Sequence, residues 1–528
     1  MAKDTAARRR EPKRPLDLNP ARARRVGRPP YAIVDIGSNS VRLVVYDQLG
    51  RAPIPRFNEK SLCRLGEKLA ETGEIQPENF RRAVEAARRF RAIADAMGVT
   101  KIDATGTEAI RRASNGPDLA KAILKESGLK VRILSGAEEA RYGALGVVSG
   151  FFRPIGSVGD MGGGSLEVSE ALDDQVGDRW VSLPLGALPV EALLAEGLTA
   201  AKRAIDELLR ESLPPALGHR AFYPVGGGWR ALAKAHMAAV GWPVKVVHGY
   251  TLETAAAREF AKTLSRLPPA KLAEMPGVPE RRARTLPGAA LLLDRVLKRL
   301  APERVVFSAL GLREGLLYSE LSEDERYLDP LIEAAQLIGL PAARSPNFAP
   351  ELAAWTEGLF PGETTAEKRL RVAACALSDI AWRDPPDFRA EENFRRLLQF
   401  PFIGVDHADR VFIAAAIHAR YGGKPDDPWL QPAIGLLSLG LRTRALILGR
   451  ALRLAYRFSG GARSVLATAR LLIELDCVKL EVASLARAPD SEVVNDRLAL
   501  LAAALGVRRS EIVVTDEKQQ EPRRESGR

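Results

Sequence analysis

The most constraining feature of the chain is that it repeats itself. Val34-Asp35-Ile36-Gly37-Ser38-Asn39-Ser40-Val41-Arg42-Leu43-Val44 aligns without gaps on Gly159-Asp160-Met161-Gly162-Gly163-Gly164-Ser165-Leu166-Glu167-Val168-Ser169, 125 residues further along. Each copy places an aspartate at the end of an apolar run, then a turn of small residues, then a second run in which a charged residue follows an apolar one. Two short β-rich runs joined by Gly, Ser and Asn make a hairpin. A repeat at this distance implies duplicated domains rather than stacked units of 20–50 residues. Two such domains facing each other would bring the two turns together across a cleft.

The rest of the first 325 residues fits that plan. Tyr31–Ile36 and Val41–Tyr46 read as strands, Phe80–Met97 as a helix, Lys101–Thr105 as a strand, and Asp118–Glu126 as a helix. Val131–Leu134 reads as a strand and Ala137–Val148 as a helix. Strands alternating with helices define an α/β architecture. A third glycine turn, Gly226-Gly227-Gly228, follows the apolar run Ala221–Val225 and precedes the helical stretch Trp229–Ala239. From Leu328 to about Leu475 apolar residues recur at three and four, so this stretch is expected to be helical. Val478–Leu485 and Glu511–Thr515 are expected to be strands around a helix at Asn495–Leu505. The expected organisation is a basic arm (1–30), an α/β domain I (31–136), an α/β domain II (137–325), a mainly helical domain (326–515) and a disordered tail (516–528).

Of the net charge of +12 over 528 residues, +7 sits in residues 1–30, which hold ten Lys/Arg and three Asp/Glu. Such an Arg- and Pro-rich segment cannot bury enough apolar surface to order itself and is expected to be solvated or to hold a polyanion. The remainder is only mildly basic, so specific nucleic-acid binding is not expected. The most apolar segment, Gly435–Tyr456, is interrupted by Arg442, Arg444, Arg450 and Arg453, so no membrane span is expected. Cys63, Cys375 and Cys477 lie too far apart for a CxxC pair or a disulfide scaffold, in keeping with a reducing cytoplasm.

Glycine-rich turns expose successive backbone N–H groups that can approach phosphate oxygens closely. Three such turns (37–40, 162–165 and 226–228), two of them related by the repeat, point to phosphate binding more strongly than one would. Asp35 and Asp160 interrupt apolar strands just before their turns. A buried carboxylate must be paired or hold a cation, which makes both candidates for Mg²⁺ beside substrate phosphates. Glu167 starts the next strand within reach of the same ion. In Ser135-Gly136-Ala137-Glu138-Glu139-Ala140-Arg141 the acidic pair opens a helix. One glutamate there serves the helix dipole, while one aimed into the cleft would activate a water. Spacing does not choose between Glu138 and Glu139. Arg42 and Arg111 are candidate phosphate ligands. No GxSxG, HExxH or GxxxxGK[ST] motif is present, which argues against those nucleophile, zinc and P-loop chemistries.

Five elements in order resemble the exopolyphosphatase/guanosine pentaphosphate phosphohydrolase family. They are Val34–Leu43, Thr107-Glu108-Ala109-Ile110-Arg111, Ser135–Arg141, Asp160–Glu167 and Ser308–Leu317. The resemblance spans about residues 31–320. It implies two duplicated ribonuclease H-like domains of the actin, Hsp70 and sugar-kinase superfamily, followed by an HD-like helical C-terminal domain. It implies Mg²⁺-dependent hydrolysis of the terminal phosphate of inorganic polyphosphate, with a monovalent cation as a further candidate. Guanosine pentaphosphate or tetraphosphate is the alternative ligand, as substrate or as the signal of a non-catalytic sensor. The family pattern selects Glu139 as general base and assigns Asp160 and Glu167 to the metal environment, where Asp35 is a candidate from its own strand position. It assigns Ser38, Asn39, Ser40, Gly162, Gly163, Gly164, Ser165, Gly226, Gly227 and Gly228, with Arg111, to phosphates, and Arg42 is a candidate there from its place after the first turn. The third turn departs from the family and runs Gly227-Gly228-Trp229-Arg230, which adds Arg230 as a phosphate candidate. Where an HD metal pair would stand, the chain has Ser378-Asp379, so the helical domain is expected to be a binding or homodimer platform.

Overall fold

The computed structural model describes residue 16 and residues 18–23, 28–483 and 491–515. The expected disordered tail and most of the basic arm lie outside the described residues.

The first sheet contains β1 (Tyr31–Ile36), β2 (Val41–Tyr46), β3 (Pro55–Ser61), β4 (Lys101–Gly106) and β5 (Val131–Ile133), in the order β3-β2-β1-β4-β5. β1, β4 and β5 are parallel, whereas β2 and β3 each run antiparallel to their neighbours. Helix α1 (Pro77–Ala96) carries Ala83, Ala87, Phe90 and Ala94 at helical spacing and buries them with Ala32, Val34, Leu43 and Val45 of the sheet.

Helix α2 (Gly136–Gly150) leads into a second sheet of β6 (Ile155–Met161), β7 (Leu166–Leu172), β8 (Gln175–Val176), β9 (Val181–Leu183), β10 (Ala221–Val225), β11 (Thr251–Glu253) and β12 (Arg304–Val306). Its order is β11-β12-β10-β6-β7-β8, with β9 also paired to β7. β6, β10 and β12 are parallel and β7 is antiparallel to β6. The sequence repeat therefore falls on corresponding hairpins, β1–β2 and β6–β7, each of whose first strand pairs in parallel with a later one. Both turns close alike: Gly37 N–H donates to Ser40 O (3.0 Å) and Gly162 N–H to Ser165 O (2.9 Å).

Among the further helices of this part are α3 (Gly227–Ala239), α4 (Leu286–Leu300) and α5 (Leu312–Ser319). One core is shared by both sheets. It joins Ile33 and Val44 of the first, Val158 and Val225 of the second, Tyr142 and Val148 of α2, and Leu316 and Leu317 of α5. Alternation along a strand puts Asp35 on the face of Ile33 and Asp160 on the face of Val158. Both aspartates are thereby aimed at the α2–α5 pair. These two helices touch backbone to backbone: a Cβ on Gly315 would lie 1.9 Å from Tyr142 O, and one on Gly146 would lie 2.2 Å from Gly311 O. No side-chain rotation relieves contact with a carbonyl. Gly315→Ala is therefore expected to destabilise by about 3 kcal/mol, the upper part of the overpacking range, measured as a fall in the urea midpoint.

The helical region holds α6 (Thr365–Leu377), α7 (His407–Arg420) and α8 (Leu439–Ser459) around a core that includes Val372, Ile413, Leu448 and Leu452. Two expectations are corrected here. The helical stretch does not reach Leu475: Ala469–Ile473 forms a strand, β13, antiparallel to β14 (Cys477–Val482), which runs parallel to β15 (Arg509–Val514). A short apolar run such as Leu471-Leu472-Ile473 fits either period, and the paired strand decided it. Nor are residues 1–30 wholly a solvated arm. Pro20–Ala23 forms a short helix, Leu18 is buried in the helical core, and Asn19 N–H donates to Gln336 Oε1 (2.5 Å). One leucine, invisible to a composition argument, anchors this part.

His248 and His407 mark the junction of the helical region with the α/β part. His248 Nε2 bonds Gly150 O (2.8 Å) and Trp242 Nε1–H donates to His407 Nδ1 (2.8 Å). Burial lowers both imidazoles to about 4, so both are neutral structural groups.

Candidate active site

A cleft of about 250 Å³ opens where the two hairpin turns, the N-terminus of α3 and the N-terminus of α5 converge. Asp35, Asn39, Ser40 and Arg42 line it from the first hairpin; Asp160, Gly162, Gly163 and Glu167 line it from the second. Gly226, Gly227, Gly228 and Arg230 complete it from the third turn, and Glu139 reaches it from the first turn of α2. Asp35 lies opposite Arg42 across β1–β2, and Asp160 lies opposite Glu167 across β6–β7. The same register thus sets a carboxylate against a guanidinium in one hairpin and against a second carboxylate in the other.

The two adjacent glutamates of α2 separate cleanly. Glu138 closes a capping box: Ser135 Oγ accepts from the Glu138 N–H (3.2 Å), and Glu138 Oε2 accepts from the Ser135 N–H (2.8 Å). Glu139, one residue on, is buried with its carboxylate held by Arg111, which also donates to Leu134 O (2.5 Å). Arg111 forms an ion pair with Glu139 and is not among the residues lining the cleft. Ser38, Gly164 and Ser165 are likewise outside the lining. Ser38 Oγ donates to Glu108 Oε2 (3.1 Å), and a Cβ on Gly164 would lie 2.0 Å from the same oxygen, so both pack the turns against Glu108.

Burial raises the carboxylates that line the cleft. Burial raises Glu139 to about 7 against the pull of Arg111, and raises Asp160 to about 6 against Arg230 and Arg313. Burial and the charge of Glu139 carry Glu167 up to about 8, opposed by hydrogen bonds from Ser165 and Ser182, the latter at 2.9 Å. Asp35, also raised by burial, has a partner in Arg313 Nη1 (3.1 Å). Among the described residues, no three His, Cys, Asp or Glu side chains form a cluster that would hold an ion alone.

Positive charge occupies the other walls: Arg42, Lys60, Arg230, Arg282, Arg284 and Arg313. Burial and the nearby Arg282, Arg281 and Arg42 lower Lys60 to about 8, as expected where cations crowd without matching anions. Sequence reading missed Lys60, Arg282, Arg284 and Arg313. Arg313 lay inside the quoted Ser308–Leu317 element, and that position was its one signal. Arg282 comes from a loop-rich segment and is placed by Gly227, where a Cβ would lie 2.2 Å from its Nη2.

Glycine turns, helix N-termini and guanidinium groups gathered in one cleft, opposite buried carboxylates, define an α/β enzyme that handles phosphate groups. Comparison with known proteins agrees. The sequence pattern described as the Ppx/GppA phosphatase family matches residues 44–324, and that described as "Exopolyphosphatase, C-terminal" matches residues 331–513. Exopolyphosphatase 1 of Mycobacterium tuberculosis is 29% identical over 309 residues, covering 55% of this chain and 88% of its own. Retrograde regulation protein 2 of Saccharomyces cerevisiae is 28% identical over 431 residues, covering 74% of this chain and 72% of its own. The crystal structure of an exopolyphosphatase from Cytophaga hutchinsonii superposes with a TM-score of 0.50 at 25% identity, covering 55% of this chain and 97% of that one. The chain belongs to the Ppx/GppA phosphatase family, and by that membership it is a phosphoanhydride hydrolase. No helix among the described residues is long and apolar enough to cross a membrane.

Proposed function

We propose that the protein is an exopolyphosphatase that removes the terminal phosphate of inorganic polyphosphate by attack of a water activated by Glu139. The observation that carries this reading is the placement of Glu139: a buried carboxylate raised to about 7, held by Arg111, at the wall of a cleft that glycine turns and cationic side chains also line. A base poised near neutral pH suits general-base catalysis. The chain end enters among the turns at 39–40, 162–163 and 226–228, where backbone N–H groups and Arg42, Arg230 and Arg313 neutralise its oxygens. Glu139 takes a proton from the water as it attacks the terminal phosphorus in line, and the shortened chain leaves carrying the charge that the basic wall stabilises. Phosphoryl transfer of this kind needs positioning and charge neutralisation more than a covalent nucleophile.

Asp160 and Glu167 have the donor chemistry for Mg²⁺, being carboxylates that face each other across β6–β7 and that burial raises. Mg²⁺ commonly takes one or two carboxylates together with substrate oxygens and waters, so the lack of a three-residue cluster is compatible with it. When bound, Mg²⁺ would add charge neutralisation at the phosphates. Polyphosphate is favoured over guanosine pentaphosphate because no aromatic side chain is among the described residues lining the cleft, leaving a base without a stacking surface. The test is orthophosphate release from long-chain polyphosphate and from guanosine pentaphosphate, side by side, with Mg²⁺ and with EDTA. Release from polyphosphate, faster than from the nucleotide and abolished by EDTA, is expected. A faster nucleotide reaction would reverse the substrate reading, and no release from either would overturn the proposal.

A further inference from the structure

A second basic pocket, about 250 Å³, lies in the helical domain, lined by Arg344, Arg389, Arg420, Tyr421, Arg453, Tyr456 and Arg457. Two of its arginines, Arg344 and Arg420, hold Asp379, the residue left at the position where an HD-type metal pair would stand. That carboxylate is fully engaged: Arg344 grips it through Nε and Nη2 (both 2.8 Å), and Arg420 Nη2 approaches at 3.4 Å. Asp379 therefore neutralises one of the five guanidinium groups and is not available to a metal. Arg389 is spent on the carbonyls of Asp384 (2.5 Å) and Trp382 (2.7 Å), which satisfy its donors without cancelling its charge.

Three observations mark this cluster as a receptor for an anion and not a structural network. Arg420 is 7% exposed, yet its Nε has no hydrogen-bond partner among the described residues. Arg453 Nη1 is equally without one, and neither Arg453 nor Arg457 forms an ion pair among the described residues. Buried donors are ordinarily satisfied, and each one left open costs free energy. Finally, the fold makes room for the arrangement: Gly422 (φ +96°) passes so close to Arg453 that a Cβ there would lie 1.7 Å from Nη1. Stacking on Tyr456, with Arg420 at 4.0 Å and Arg344 at 5.3 Å from the ring centre, occupies guanidinium faces and leaves N–H edges for a ligand. Burial, together with Arg497, Arg450, Arg420 and Arg457, lowers Arg453 to about 10, as expected for a cation crowded by its own kind.

We propose that this pocket is a second, non-catalytic site that binds a short phosphate chain, either free as an inorganic oligophosphate or as the phosphate end of a nucleotide. Convergent guanidinium forks are the side-chain chemistry best matched to phosphate oxygens, and the volume admits a few phosphate groups and not a folded polymer.

The test uses the full chain carrying Glu139→Gln, to suppress turnover, and the same chain with Arg453→Gln and Arg457→Gln added. Isothermal titration calorimetry with tripolyphosphate and, separately, with GTP is expected to show two classes of site in the first protein and one in the second. The affinity of the lost class should fall about tenfold or more. Tighter binding of GTP assigns the site to a nucleotide, and tighter binding of tripolyphosphate to an inorganic chain. Without ligand at low salt, the Arg453→Gln/Arg457→Gln protein should melt no lower than its parent, because it loses repulsion and not support. A single class of site in the parent, or an unchanged pair of classes in the variant, would overturn the proposal. So would a large fall in melting temperature, since it would make the cluster structural.

Discussion

Replacing Glu139 by glutamine is expected to slow orthophosphate release from polyphosphate by about 10²–10⁴-fold, the range for loss of a general base. Glutamine keeps the shape of the side chain and an oxygen that can accept from Arg111, but it cannot take a proton at neutral pH. The folded state should therefore survive while the chemical step fails. The control is the neighbouring Glu138→Gln. Glu138 accepts from the N–H and Oγ of Ser135, and losing that reciprocal cap costs about 1 kcal/mol of helix stability with little effect on turnover. Initial rates of the two variants, with their melting temperatures, separate base from cap. If Glu139→Gln keeps more than roughly a tenth of the rate, outside the general-base range, the activating group lies elsewhere in the cleft.

Arg369→Leu is expected to cost about 3–5 kcal/mol, the penalty for leaving one member of a buried ion pair without its partner. Arg369 and Asp329 are 1% and 0% exposed in their side chains. The guanidinium grips the Asp329 carboxylate through Nε and Nη2, donates to Gly404 O (2.9 Å), and lies 3.8 Å from the ring centre of Phe152, just beyond α2. Asp329 meanwhile caps the helix Pro330–Ala342 by accepting from the N–H groups of Leu331 (2.9 Å) and Ile332 (3.2 Å). One cluster thus ties the start of the helical region to the end of the helix that carries Glu139. Adding Asp329→Asn to Arg369→Leu should recover part of the loss, because it removes the stranded charge and keeps a capping oxygen. Urea midpoints of the two single variants and the double variant check this; no recovery would mean that packing against Phe152, and not the charge, dominates.

Much of the candidate site was legible in the residues. The repeat located both hairpins and the aspartates that precede their turns, and a glycine run located the third turn. These signals survive in sequence because backbone approach to a phosphate restricts residue type locally. The basic wall was not legible. Lys60, Arg282 and Arg284 stand in a chain with 78 Lys and Arg, with no spacing to set them apart. Arg111 was legible as a residue, but its ion pair with Glu139 was not, since the two stand 28 positions apart. In the helical region the reverse held: Asp379 was singled out, but the five arginines of the neighbouring pocket come from positions between 344 and 457 and meet only in the folded chain.

What residue order determined by itself was local: strand and helix periods, glycine turns, an acidic pair opening α2, and an aspartate at each hairpin. Those depend on backbone sterics and on contacts three or four residues apart. Tertiary structure decided which charges face one another. The touching α2 and α5 backbones set Arg313 on Asp35, and burial, helped by neighbouring carboxylates, raised Glu139, Asp160 and Glu167, because electrostatics in a cleft depends on distances through space and on the exclusion of water, which spacing along the chain does not encode.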